Sequence, residues 1–143
     1  MRRLALVVVA GLALAGCGTS MHTSTPGPAA AQAQIKSAYE KFFSGQTSIP
    51  ARVAVLQDGS KFKGLVTSFA NNPLAKNVSA TVSSVTLQGQ DNAKVVYTVK
   101  LGGAALPKQT GTAVRENGTW KIGSASLCRL VALQGSTPSV CKS

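Results

Sequence analysis

Acidic side chains are what this 143-residue chain has least of, with four Asp and Glu against fifteen Lys and Arg. Any carboxylate chemistry must therefore come from Glu40, Asp58, Asp91 or Glu116. The single histidine, His22, lies among small polar residues near the start, so no Ser–His pair, Cys–His pair or histidine-bearing metal set forms in the residues after it. No cofactor or metal site is expected. Aromatics make up only 5% of the chain. The basic residues are scattered, and neither a recognition helix nor a zinc pattern is present, so the formal charge of +11 does not read as nucleic-acid binding. The longest apolar run is short of the roughly 20 residues a membrane-spanning helix needs. What is plentiful is ordinary core material: 44% of residues are hydrophobic and 13% charged, the balance of a folding chain with room for one domain.

That apolar run, Leu4 to Ala15, follows Met1-Arg2-Arg3 and ends at Gly16-Cys17, the layout of a secretory signal. A buried core helix would have to start at the chain terminus and run straight into Gly16-Cys17-Gly18. The stretch Leu14-Ala15-Gly16-Cys17 resembles the lipobox of bacterial lipoprotein precursors, in which the thiol receives a diacylglyceryl group and the peptide before it is cut. The resemblance implies that residues 1–16 are a signal peptide and that Cys17 is the lipidated N-terminus of an exported product on the extracytoplasmic side of the cell membrane. Burial of each methylene contributes about 0.8 kcal/mol, so two acyl chains hold stably where one is marginal. Residues 17–28, rich in Ser, Thr, Gly and Pro, then read as the lipidated terminus and a flexible spacer.

Three cysteines leave an odd thiol in an exported protein. With Cys17 taken by the lipid, Cys128 and Cys141 remain to pair and clip the C-terminal tail onto the domain. A loop of that length contributes about 3 kcal/mol in the chain-entropy picture.

From Ala29 to Ser143 the pattern is that of a folded domain. Ile35, Tyr39, Phe42 and Phe43 line one face of a first helix that Ser44-Gly45 stops. Ser48 and Pro50 suit the start of a second, running to Gln57 before Asp58-Gly59, and a third is expected from about Ser60 to Asn71. Strands follow. Val78, Ala80 and Val82 alternate, but Val85 and Leu87 have the opposite parity, so a bulge near Ser83-Ser84 is required. Ala93, Val95, Tyr97, Val99 and Leu101 alternate cleanly after a turn at residues 89–92. A hairpin closes over Val114 to Ile122. A two-residue Asn117-Gly118 loop would pair Arg115 with Trp120, whereas a three-residue loop pairs Val114 with Trp120. The second collects Thr112, Val114, Trp120 and Ile122 on one face and is preferred.

Helices first and about four strands afterwards make an α+β domain, the N-terminal helices packed on one face of a curved antiparallel sheet. Tyr39, Phe42 and Phe69 would then meet Tyr97, Val114, Trp120 and Ile122. Lys94, Lys100, Arg115 and Lys121 would lie on the outer face, as a candidate surface for another envelope protein or an anionic envelope component, or as a solvated face that keeps the chain soluble.

The element order and the Gly118-Thr119-Trp120-Lys121-Ile122 segment resemble the cystatin-like roll of nuclear-transport-factor-like domains. Residues 56–62 (LQDGSKF), residues 114–122 (VRENGTWKI), Cys128 and Cys141 are similar to a family of small actinobacterial lipoproteins, the mycobacterial low-molecular-weight antigen family. The resemblance implies a fold and a compartment, and it carries over no catalytic residue. Rolls of this type host isomerases and dehydratases whose acid or histidine sits inside the cone. Here Glu40 is expected to point outward and the other three acids fall in turns or loops, so a non-catalytic envelope binding or accessory module is the leading expectation. A carrier of a small apolar ligand, in a pocket between helix and sheet lined by Tyr39, Tyr97 and Trp120, stands beside it, with those three as plain core the competing reading.

Overall fold

In a computed structural model of the chain, which describes residues 27–142, the helical spacing of Ala31, Ile35, Ala38, Tyr39, Phe42 and Phe43 becomes the buried stripe of α1 (Pro28–Phe43). Pro28 occupies the first turn, where its missing N–H costs nothing and its fixed φ is already helical. The helix stops where Ser44 turns to extended backbone. Beyond it, α2 (Ile49–Ala54) and α3 (Lys63–Ala70) are shorter than the sequence pattern suggests. The reason lies at residues 55–58. Leu56 leaves the helical path to form a parallel bridge with Ile122, and Asp58 adopts a left-handed conformation with φ of 51°. Helix geometry cannot pass through either residue.

After a 3₁₀ turn (Pro73–Asn77), β1 (Val78–Leu87), β2 (Asn92–Leu101), β3 (Ala104–Ala105), β4 (Gln109–Glu116) and β5 (Thr119–Ile122) form an antiparallel sheet in the order β1-β2-β4-β5, with β3 against the end of β2. The bulge demanded by the parity of β1 is present: Val82 pairs with Tyr97 and Ser84 with Val96, leaving Ser83 as the extra residue. It bends the outermost strand and lets Val82 and Val85 both turn toward α1, whose Gln32 amide donates to the Val85 carbonyl. Ala93, Val95, Tyr97 and Val99 of β2 are all buried, as the alternation predicts.

The hairpin register differs from the preferred one. Arg115 pairs with Trp120 and Val114 with Lys121 across a two-residue loop in which both Asn117 and Gly118 have positive φ. Such a turn matches the natural twist of the flanking strands. The register is decided deeper in the sheet. The inward positions of β4 are Gly111 and Ala113, both buried and both small, because α1 crosses closely there. Val114 consequently faces outward, and Arg115 ends up on the inner side of the sheet at its far end.

A C-terminal helix absent from the expected order, α4 (Ser124–Leu133), follows β5 directly. It covers the stretch of β4 that the short β5 leaves unpaired. Ser126 Oγ accepts from the Thr112 N–H at 2.7 Å, and the Arg129 guanidinium donates to the Thr110 carbonyl at 3.3 Å, so side chains of α4 replace part of a strand ladder. Cys128 on α4 is joined to Cys141 by a disulfide with Cα atoms 5.5 Å apart, which holds the tail against this helix. The sheet's other face stays in solvent, with Ser and Thr at many of its positions, as antiparallel sheets allow.

Candidate functional site

Among the described residues three large apolar side chains remain markedly exposed: Leu74 at 60%, Leu106 at 45% and Leu133 at 67%. They are far apart in sequence, yet all three border one or other of two adjoining hollows. A cleft of about 260 Å³ opens between the C-terminal end of α1, the end of α3, β2, the β3–β4 connection and the C-terminal half of α4. Phe42, Phe43, Val99, Leu127 and Val131, all buried core residues, form its floor, and Leu106 and Leu133 stand at its margin. A second hollow of about 130 Å³ adjoins it, sharing Phe69, Val99, Leu106 and Gln134 and reaching Leu74. Gln109 and Gln134 are the only polar side chains lining the larger chamber. Among the described residues no ionisable group lines either one. The cleft exists because β4 begins only at Gln109 and α4 leans over that end of the sheet, so no strand fills the space between α4, α1 and α3.

The three aromatics expected to line a pocket do not share one. Tyr39 and Tyr97 pack with ring centroids 4.8 Å apart, and Phe43 stacks on Tyr97 at 5.5 Å, filling the space beneath α1. The Tyr39 hydroxyl donates to the Thr112 carbonyl at 2.7 Å and lies 3.4 Å from Ser126 Oγ. Burial pushes both phenols up, Tyr97 to about 12 and Tyr39 further, since a phenolate there would lose its hydration. Trp120 is buried at the opposite end of the molecule, beside Pro28, Leu87 and Arg115.

The expected basic face divides in the same way. Lys94 and Lys100 are exposed on the outer side of β2. Lys121 lies on that side too but is paired with Glu116 at 2.8 Å, and this hydrogen bond holds the Glu116 carboxyl below its ordinary range. Arg115 is removed from the face by the hairpin register, because its neighbour across the strands is the buried Trp120.

The remaining acids are held in local contacts. Glu40 lies 3.9 Å from Lys36 on the exposed side of α1, and Asp58 pairs with Lys61 at 3.6 Å. Among the described residues no group of three or more His, Cys, Asp or Glu side chains is placed to hold a metal ion. Cys17 and residues 18–26 of the expected spacer lie outside the described residues, while Pro28, expected at the spacer's end, opens α1. No helix among those described is long and apolar enough to cross a membrane.

Two features escaped the sequence reading. Arg52 is 2% exposed, without an acidic partner, and donates to the Ser44 carbonyl at 2.7 Å and the Thr47 carbonyl at 3.1 Å. Desolvation lowers its pKa. It ties the end of α1 to α2, and no periodicity marks such an arginine. The second is a junction of the two motifs. Gln57 N–H donates to the Ile122 carbonyl and Ile122 N–H to the Val55 carbonyl, Glu116 Oε2 lies 3.4 Å from the Asp58 N–H, and Gln57 Oε1 accepts from Ser124 at the start of α4. The segment around Asp58 thus closes the free edge of β5 and caps α4, a structural duty.

Four helices on a curled antiparallel sheet, closed by a disulfide and opened by an apolar cleft, place the chain in the class of small disulfide-clipped α+β domains. Its residues 28–138 match the family model described as low molecular weight antigen MTB12, C-terminal domain. That span is well over half of the chain, which therefore belongs to the MTB12 low molecular weight antigen family. No curated protein sequence matches. Among solved structures, the intermembrane space region of chloroplast protein ARC6 is similar over 64% of this chain and 85% of that one, at 16% identity and a TM-score of 0.34, too weak a likeness to bear on fold or function.

Proposed function

We propose that this domain is a non-catalytic binding module of the cell envelope, exported and held at the extracytoplasmic face of the membrane by a lipid on Cys17, and that the apolar cleft is where it binds. The observation that carries the binding reading is that Leu106 and Leu133, exposed large hydrophobics, border one concavity floored by core side chains, with Leu74 at the hollow beside it. Ligand sites are characteristically concave, apolar and furnished with few polar groups, and two glutamines fit that description. Acid–base catalysis finds no support at the cleft, because among the described residues neither a carboxylate nor a histidine lines it. The basic outer face is the weaker candidate, since only Lys94 and Lys100 of the four cations remain free on it.

The anchor is tested by replacing Cys17 with Ser in the whole chain and separating membrane from medium. The parent is expected in the membrane fraction and the variant in a form no longer extracted with the lipids. A variant that partitions and labels with fatty acid as the parent does would overturn the lipid anchor. For the cleft, an environment-sensitive apolar dye should brighten with the parent chain and respond to substitution at Leu106 and Leu133.

A further inference from the structure

Resting on the reading of the cleft as the binding site, we infer that its occupant is the acyl chain of a fatty acid, with the carboxylate head left at the mouth. The lining decides most of this. Of eleven residues around the larger chamber nine present hydrocarbon and two present neutral amides. A peptide would bring an N–H and a C=O at every residue into a space with almost nothing to receive them, whereas an unbranched alkyl chain leaves no hydrogen bond unmade.

Size points the same way. The two hollows, of about 260 and 130 Å³, adjoin and share Phe69, Val99, Leu106 and Gln134 in their walls. Their volume is at the lower end of ligand pockets, which run roughly 300–1,000 Å³, and suits one chain rather than a diacyl lipid. A second folded protein would need an interface of about 20–30 residues a side, more than border both hollows together.

The neighbouring chain suits an anionic head. Lys76 follows Ala75 of the smaller hollow, Lys108 precedes Gln109 of the larger, and Arg129 precedes Leu130, while no Asp or Glu lines either chamber. All three cations are exposed. An anion at the rim would therefore meet no lining carboxylate, and the exposed cations nearest it along the chain are Lys76, Lys108 and Arg129.

Geometry permits delivery from a membrane. The eleven residues from Cys17 to Gly27 span at most about 40 Å when extended. The cleft lies at the far end of α1, a helix of 16 residues and so about 24 Å long. At full extension that segment would exceed the helix, enough for the cleft end of the domain to reach a surface holding Cys17.

The test is a titration of the whole chain carrying Cys17→Ser with cis-parinaric acid, a fatty acid that fluoresces when shielded from water. Leu106→Gln with Leu133→Gln alters two exposed positions, so the fold survives and circular dichroism checks that it does. Saturable binding is expected, weakened roughly tenfold in that double variant because contact with both leucines is lost. The methyl ester of the same acid is expected to bind severalfold less tightly than the acid, a gap that Lys76→Gln with Lys108→Gln should narrow. Equal affinity in the leucine variant, or an ester that matches the acid, overturns the inference. Should an uncharged aromatic dye bind in the cleft while the fatty acid does not, the ligand class falls and the binding module stands. Failure of the anchor shows separately, in the fractionation of Cys17→Ser.

Discussion

Gly111 carries no side chain because its space is taken: a Cβ there would press on the Tyr39 hydroxyl and lie 2.8 Å from Ser126 Oγ. Gly111→Ala is expected to destabilise the fold by about 1–3 kcal/mol, as overpacked cores do, read as a lower urea midpoint with an unchanged slope. Tyr39→Phe is milder, because the Thr112 carbonyl keeps its bond from the Gly123 N–H; about 1 kcal/mol is expected. The two tyrosines also fix the alkaline limit of the fold. Their folded pKa values are raised above the unfolded value near 10, so the folded state holds protons that the unfolded chain releases. Stability is then fully present below about pH 10 and falls as pH climbs toward 12 and beyond. Absorbance at 295 nm should show phenolate appearing together with loss of secondary structure. Phenolate formed near pH 10 with the fold intact would contradict the burial of either ring.

At the scale of elements, the C-terminal clip and the hairpin carry separate loads. The Cys128–Cys141 bond closes a short loop against α4, its ends 13 positions apart in sequence. Cys128→Ser with Cys141→Ser is expected to cost about 3 kcal/mol and to loosen α4 first, visible as faster amide exchange at residues 124–133 than in β2. Since α4 forms one wall of the cleft, ligand binding should weaken in the same variant. The bulge in β1 was legible because Val82 and Val85 cannot share a face without it, and β2 because its alternation never breaks. The hairpin register was not. Both loops leave Trp120 and Ile122 together, and the deciding residues, Gly111 and Ala113, advertise a close helix only by being small. α4 did leave a trace, in Leu127, Leu130 and Val131 at helical spacing, but a segment between an expected strand and an expected disulfide did not invite a helix. The cleft was illegible for a plainer reason. Its walls come from α1, α3, β2, the β3–β4 connection and α4, and no spacing along the chain brings Phe42, Leu106 and Leu133 together.

Taken whole, the domain has two poles. Pro28, at the start of α1, lies near the hairpin and Trp120, and the cleft opens where α1 ends. Among the described residues acidic groups are found along α1 and around the hairpin, none of them lining the cleft. That arrangement suits a tethered module which takes an amphiphile from a surface and shields its chain from water. Mass spectrometry of the protein gently extracted from its own membranes reads anchor and ligand together. Under denaturing conditions the expected mass is that of residues 17–143 plus a diacylglyceryl group on Cys17, and under native conditions a further species heavier by one fatty acid. An unlipidated chain that still begins at Met1 and carries no bound acid would contradict both halves of the proposal.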